Sequence, residues 1–241
     1  MTTSPTALAG VLVVAALATS GAFAPTAGAQ ARPAVRPAQS LAVLLTAHSV
    51  YSTLHPRPAQ VGAVGASRPI TGGPTVLPVV GRTTTTHGVH WLRVMLPGRP
   101  NGMKGWIVQR GTRLTTTSWQ LVVRTSSRRV LVYRHGRLAR TYAAIVGKRS
   151  TPTPHGRFFV EESIRMPSGS AGAPFALALS ARSNVLQEFE GGPGQIALHG
   201  VANLGGTLGT AVSHGCVRLA NRSISWLAAR IAPGVPVSIT S

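Results

Sequence analysis

Apolar and polar positions divide the 241-residue chain into stretches of different period. Residues 7–24 form an apolar run without a charge, about the length that crosses a bilayer once. Ala27-Gly28-Ala29 stands before Gln30, and small residues at that spacing suit a signal-peptidase cut. The stretch 1–29 therefore reads as a secretory signal peptide. The residues ahead of the run hold no Lys or Arg, which keeps an uncleaved signal anchor as the rival reading. The next residues are rich in Arg, Pro, Ala and Gln, and 30–44 reads as a linker.

Beyond residue 45 the apolar positions come in short runs. Strands are predicted over 75–80, 89–96 and 105–108, separated by Gly72-Gly73-Pro74, by threonines 83–86 and by the Pro/Gly/Asn stretch 97–102. Trp91, Val94, Trp106 and Val108 would supply the inward positions of a small β module over 45–114. After Thr115-Thr116-Thr117-Ser118 the pattern strengthens. Residues 119–123, 129–133 and 138–146 carry branched and aromatic side chains and are joined by polar turns at 125–127 and 133–137, a β-meander. Further strands are predicted over 157–161, 175–179, 195–198 and 235–239. Only one stretch has helical period: Ile224, Leu227, Ala228 and Ile231 lie on one face, with Asn221 as N-cap and Pro233-Gly234 as the stop. The chain is thus expected to be mainly β with one short helix, its last domain spanning 115–241.

Composition sharpens this picture at one point. There are 24 Lys+Arg against four acids, a net charge of +20. The acids are all glutamates and aspartate is absent, so any mechanism built on an Asp-His pair is excluded. Such a charge admits anionic wall polymers as partners. Nucleic acid is not expected, because the arginines are scattered and aromatics make up only 5% of residues, too few for a base-stacking surface.

The candidate chemistry gathers at Ser213-His214-Gly215-Cys216-Val217-Arg218-Leu219, which holds the sole cysteine. An unpaired thiol in an exported chain marks either an intermolecular bridge or a nucleophile. A nucleophile needs a base to take the thiol proton. His214 is two residues away on a rigid link, whereas His199 ends a separate strand and can be aimed freely, so His199 is the expected base. Without aspartate, a backbone carbonyl such as that of Gly200 is expected to hold the second ring nitrogen. Gly215 can adopt φ > 0 and gather the amides of residues 214–216 into an oxyanion hole. Arg218 is placed to clamp a substrate carboxylate. Two histidines and one cysteine fall short of the four ligands of a structural zinc, so no metal or cofactor is expected.

These residues resemble a known family. His199-Gly200, the motif 213–219 and Asn221 are similar to the signature of the L,D-transpeptidases of the YkuD type. Upstream, Gly147 with Thr151-Pro152-Thr153-Pro154-His155-Gly156-Arg157-Phe158 resembles the family's Thr-Pro segment, and Ile196-Ala197-Leu198-His199-Gly200 its strand into the first histidine. Residues 91–109 resemble the SH3-like module that precedes many wall enzymes. The resemblance implies a YkuD-like β-sandwich that cross-links peptidoglycan stem peptides. Cys216 would attack the carbonyl before a terminal D-alanine, His199 would take the thiol proton, and His214 and Gly215 would shape the loop. Gly200, Ser213, Arg218 and Asn221 would face or support the substrate. Carbapenems are expected to acylate the thiol. The chain departs from the family at Val201, where Thr is usual, and at Ser223, where Asp is frequent. Two alternatives stand beside transpeptidation: an L,D-carboxypeptidase that trims stems, and a non-catalytic basic wall-binding protein.

Overall fold

A computed structural model describes residues 1–2, 35–55, 57–189 and 191–241. The expected signal peptide falls almost wholly outside the described residues. Residues from 35 onward belong to one compact unit, built from two sheets.

The first sheet contains β1 (Gln39–Leu44), β2 (His48–Thr53), β3 (Ala59–Val64), β4 (Val76–Thr84), β5 (His90–Met95), β6 (Lys104–Val108) and β7 (Thr112–Thr117). Their order is β3-β2-β6-β5-β4-β1-β7. β1 begins at Gln39, inside the stretch expected as linker. Its burial is continuous over its last four residues rather than alternating, which removes the period-two signal. The core of this sheet also differs from expectation. Leu92, Val94 and Ile107 are fully buried, whereas Trp106 and Val108 lie on the half-buried face.

The second sheet comprises β8 (Trp119–Arg124), β9 (Arg129–Arg134), β10 (Arg137–Gly147), β11 (Gly156–Arg165), β12 (Phe175–Arg182), β13 (Gln195–His199), β14 (Ala211–Ser213), β15 (Val217–Leu219) and β16 (Pro236–Thr240). The order is β14-β10-β15-β13-β12-β11-β16-β8-β9. Long β10 serves both ends. Its first half pairs antiparallel with β9, and Ala144 and Ile145 then pair with Leu219 and Arg218 of β15. The set therefore folds back on itself, and its two halves face each other across a core of Leu121, Val132, Phe158, Leu179, Leu198, Val217 and Leu219. At the β9–β10 turn, His135 (φ 49°) and Gly136 (φ 75°) both take positive φ, the geometry that matches strand twist in a two-residue hairpin.

The helix α1 (Asn221–Ala228) adds Ile224 and Leu227 to that core. Its N-cap is Ala220, without a side-chain cap, so the expected capping role of Asn221 is not taken up. The mainly β architecture with one helix after the cysteine loop agrees with the sequence reading.

The two sheets share side chains. On β11, successive residues point to opposite faces. Phe158 enters the core of the second sheet, and its neighbour Phe159 enters the core of the first. Beside them, Arg182 Nη1 donates to Glu161 Oε1 at 3.0 Å, and Arg68 from the first sheet's β3–β4 connection meets Glu161 Oε2. The Thr71 amide donates to Glu162 Oε2 at 2.8 Å. Both glutamates are buried, so two of the chain's four acids lie in this junction.

Candidate active site

The alternation of buried residues on two neighbouring strands puts the expected pair on one face. β13 and β15 run parallel, with Leu198 opposite Val217 and His199 opposite Arg218. Ile196, Leu198, Val217 and Leu219 are buried in the core. The period of two sends their sequence neighbours to the other face, and Gln195, Ala197, His199, Cys216 and Arg218 are all half-buried there. Adjacent strands lie about 4.8 Å apart, so the His199 imidazole and the Arg218 guanidinium emerge side by side, and Cys216 stands two residues before Arg218 on the same face. Cys216 Sγ points toward the carbonyl oxygen of Gln195 at 3.9 Å.

His199 is held as the lack of aspartate requires. Its Nδ1 lies 2.8 Å from the carbonyl oxygen of Gly200. A carbonyl can only accept, so the proton sits on Nδ1 and the neutral ring presents its lone pair at Nε2. Burial pushes the His199 pKa below the ordinary histidine value, the Gly200 bond opposes this, and the Arg218 charge adds to the lowering. The ring is thus neutral near neutral pH and competent as a base.

Gly200 is needed for close packing. A Cβ there would run into the Ala173 carbonyl oxygen and lie 2.7 Å from Asn221 Oδ1. That Asn221 oxygen accepts from the Val201 amide at 3.0 Å, so the first turn of α1 braces the segment that follows the histidine. Gly172 (φ 84°) closes over the ring from the connection between β11 and β12, and a Cβ there would lie 2.6 Å from His199 Nδ1.

The cysteine turn is stabilised by residues outside its motif. Gly215 takes φ 122°, a conformation that L side chains rarely adopt. Thr153 Oγ1 donates to the Gly215 carbonyl at 2.8 Å and accepts from the Gly147 amide at 2.9 Å. Thr151 Oγ1 donates to the Ser213 carbonyl at 3.3 Å. Neither threonine was singled out as a site residue from sequence. Their signal was the alternation Thr-Pro-Thr-Pro, in which proline fixes φ and threonine carries a short hydroxyl.

Two expected roles change. Ser213 is fully buried and does not face a substrate; its Oγ donates to the Cys216 carbonyl at 2.6 Å and accepts from the Gly215 amide at 3.2 Å. That second bond engages one of the three amides expected in the oxyanion hole. Arg218 Nη1 donates to the Gly205 carbonyl at 2.8 Å, while its buried Nε has no hydrogen-bond partner. His214 is exposed, with its ring 5.6 Å from that of Phe189. Among the described residues no group of three or more His, Cys, Asp or Glu converges as a metal site would.

A family model for the L,D-transpeptidase catalytic domain, YkuD, matches residues 118–239. The chain belongs to this family. The YkuD match starts one residue before β8 and ends within β16, so it covers the second sheet and α1 and leaves out the first sheet. Relatives by sequence include the L,D-transpeptidase YkuD of Bacillus licheniformis, 34% identical over 125 residues, or 52% of this chain and 67% of the relative. The Bacillus subtilis protein of the same name is 30% identical over 124 residues, with the same coverage. Solved structures that resemble the chain include an L,D-transpeptidase from Mycobacterium smegmatis, 15% identical at a TM-score of 0.41, covering 64% of this chain and 91% of that one. An L,D-transpeptidase in complex with imipenem is 19% identical at a TM-score of 0.43, covering 68% and 90%.

Proposed function

We propose that this YkuD-family chain is a peptidoglycan L,D-transpeptidase in which Cys216 is the nucleophile and His199 the general base. The observation that carries the reading is the placement of both side chains on one face of β13 and the β15 strand entry, with Nδ1 of the base fixed by a backbone carbonyl. His199 Nε2 takes the thiol proton, and Sγ attacks the carbonyl carbon before the terminal D-alanine of a stem tetrapeptide. With the Gly215 amide engaged by Ser213 Oγ, the amides of His214 and Cys216 stabilise the oxyanion. The tetrahedral intermediate collapses, the C–N bond breaks, His199 returns its proton to the departing amine, and D-alanine leaves with a thioester on Cys216. The amine of a diamino acid on a second stem then attacks the thioester carbonyl. Its proton passes to His199 and on to the departing thiolate, and a new amide remains.

Arg218 is half-buried on the same face as His199, and its positive charge, rather than its buried Nε, is what would draw a substrate carboxylate to the site. Carbapenems are proposed to acylate the same thiol, because ring opening uses the same nucleophile and base. Water in place of the amine makes the protein an L,D-carboxypeptidase. A purified stem tetrapeptide donor with and without an amine acceptor separates the outcomes. Cross-linked dimer with free D-alanine supports transpeptidation; tripeptide alone, even with acceptor in excess, overturns it in favour of trimming.

Export to the wall, through cleavage at 1–29 or through an uncleaved anchor, belongs to the same proposal. So does a wall-facing role for the first sheet, as an SH3-like module. A cleft of about 430 Å³ between the two sheets is lined by Arg36, Arg93, Lys104 and Arg157 and by no carboxylate, which supports anionic wall polymers as partners. Binding to isolated walls that survives in Cys216→Ala and weakens steeply with salt is the expected result.

A further inference from the structure

A side chain from the first sheet, outside the family segment, holds the loop that borders the nucleophile. Residues 183–194 connect β12 to β13. The Ser183 amide donates to the Gly194 carbonyl at 2.8 Å and closes the neck of this loop. Into the neck runs Arg99, from the connection between β5 and β6. Its Nη2 donates to the carbonyls of Ser183 (2.8 Å) and Leu186 (3.0 Å), and its Nη1 to that of Pro193 (2.9 Å). One guanidinium thus joins both ends of the loop by three charge-assisted hydrogen bonds. Asn101 fixes the adjoining backbone: it accepts from the Arg182 amide at 2.8 Å and donates to the Arg182 carbonyl at 2.7 Å.

The far end of the loop reaches the chemistry. The Phe189 ring lies 5.6 Å from that of His214, two residues before Cys216. Where the loop ends, Gln195 supplies the carbonyl toward which Sγ points. Phe189 remains 42% exposed, so the loop offers an apolar ring beside His214.

We propose that Arg99 is a positioning residue for the reaction: it locks loop 183–194 so that Phe189 stands against His214 and forms one wall of the donor-substrate site. The inference rests on the proposed reading of Cys216 as nucleophile. It makes the first sheet a working part of the active site as well as a wall-facing module. If the locked loop is the binding-competent state, losing the lock lowers the fraction of chains ready to bind. Apparent affinity for the donor falls by that fraction, while the rate at saturation is kept.

The test compares the whole chain with Arg99→Ala, Arg99→Lys and Arg99→Gln, the last serving where alanine is not tolerated. Three readouts are taken. The His214 Hε1 proton resonance, assigned through His214→Gln, reports the ring of Phe189 directly and requires no turnover. Carbapenem acylation is resolved into half-saturating concentration and limiting rate. Alkylation by iodoacetamide reports the thiol alone. For Arg99→Ala we expect the His214 resonance to move toward its value in Phe189→Ala. The half-saturating concentration should rise about tenfold, as for a competent fraction reduced to a tenth, with the limiting rate and the alkylation rate unchanged. Arg99→Lys should recover part of the loss. An unmoved His214 resonance in a folded variant overturns the proposal, as does an equal loss in alkylation and acylation. If the parent chain is not acylated, the assignment of Cys216 fails, while the resonance still decides whether Arg99 holds the loop.

Discussion

The protonation of His199 sets the pH range in which the site can work. Burial and the Arg218 charge both disfavour the imidazolium, so the folded-state pKa lies below the ordinary 6.5. The base is neutral above that pKa and is lost as pH falls through it. The acidic limb of the acylation rate should therefore have its midpoint below pH 6.5, and Arg218→Ala should move it upward by removing a nearby positive charge. A pH profile of carbapenem acylation checks both. Gly172 offers a second residue-scale prediction. A methyl group there would lie 2.6 Å from His199 Nδ1 on a backbone with φ 84°, so Gly172→Ala must displace the ring or the loop. A displacement of about 1 Å at a catalytic group can cost roughly a hundredfold in rate, and acylation kinetics should show a loss of that order.

The elements around the thiol differ in how far sequence could read them. β8 to β13 and β16 have branched or aromatic runs, and their predicted ranges match the observed strands within a few residues. β14 and β15 have three residues each and take their strand form from pairing with β10 and β13, which leaves no periodic signal. Asn221 had the composition of an N-cap, but its side chain is drawn to the Val201 amide, a partner 20 residues away. The same holds for Ser213, whose buried hydroxyl serves the turn itself. Cys216 and His199 stand out in the sequence as the proposed pair because few chemistries use a lone thiol with a strand-end histidine. The carbonyl that holds His199 is one residue away, at Gly200, and is expected from sequence, whereas the threonines that hold the cysteine turn act across 62 residues, as between Thr153 and Gly215. Thr153 is nearly fully buried and satisfies two backbone groups, so Thr153→Val should cost about 1–3 kcal/mol and loosen the cysteine turn. Chemical denaturation together with acylation kinetics measures the two effects.

At the scale of the molecule, the cores of the two sheets meet along β11. Phe159 of β11 is 1% exposed because the first sheet covers it. Glu161, also 1% exposed, faces Arg68 from one sheet and Arg182 from the other. Removing one partner of such a buried pair strands the remaining charges, so Glu161→Ala should destabilise by roughly 3–5 kcal/mol. Because apolar side chains and charges cross the junction, residues 35–241 should unfold in a single transition, followed equally by tryptophan fluorescence and circular dichroism. Two separated transitions would show that the sheets fold independently. The measurement closest to the central claim is intact mass after incubation of the protein with a carbapenem, beside Cys216→Ala and His199→Ala. A gain of one drug mass in the parent, none in Cys216→Ala and a greatly slowed gain in His199→Ala is the predicted result. A folded parent chain that gains no mass, or a Cys216→Ala variant that gains the same mass, would contradict it.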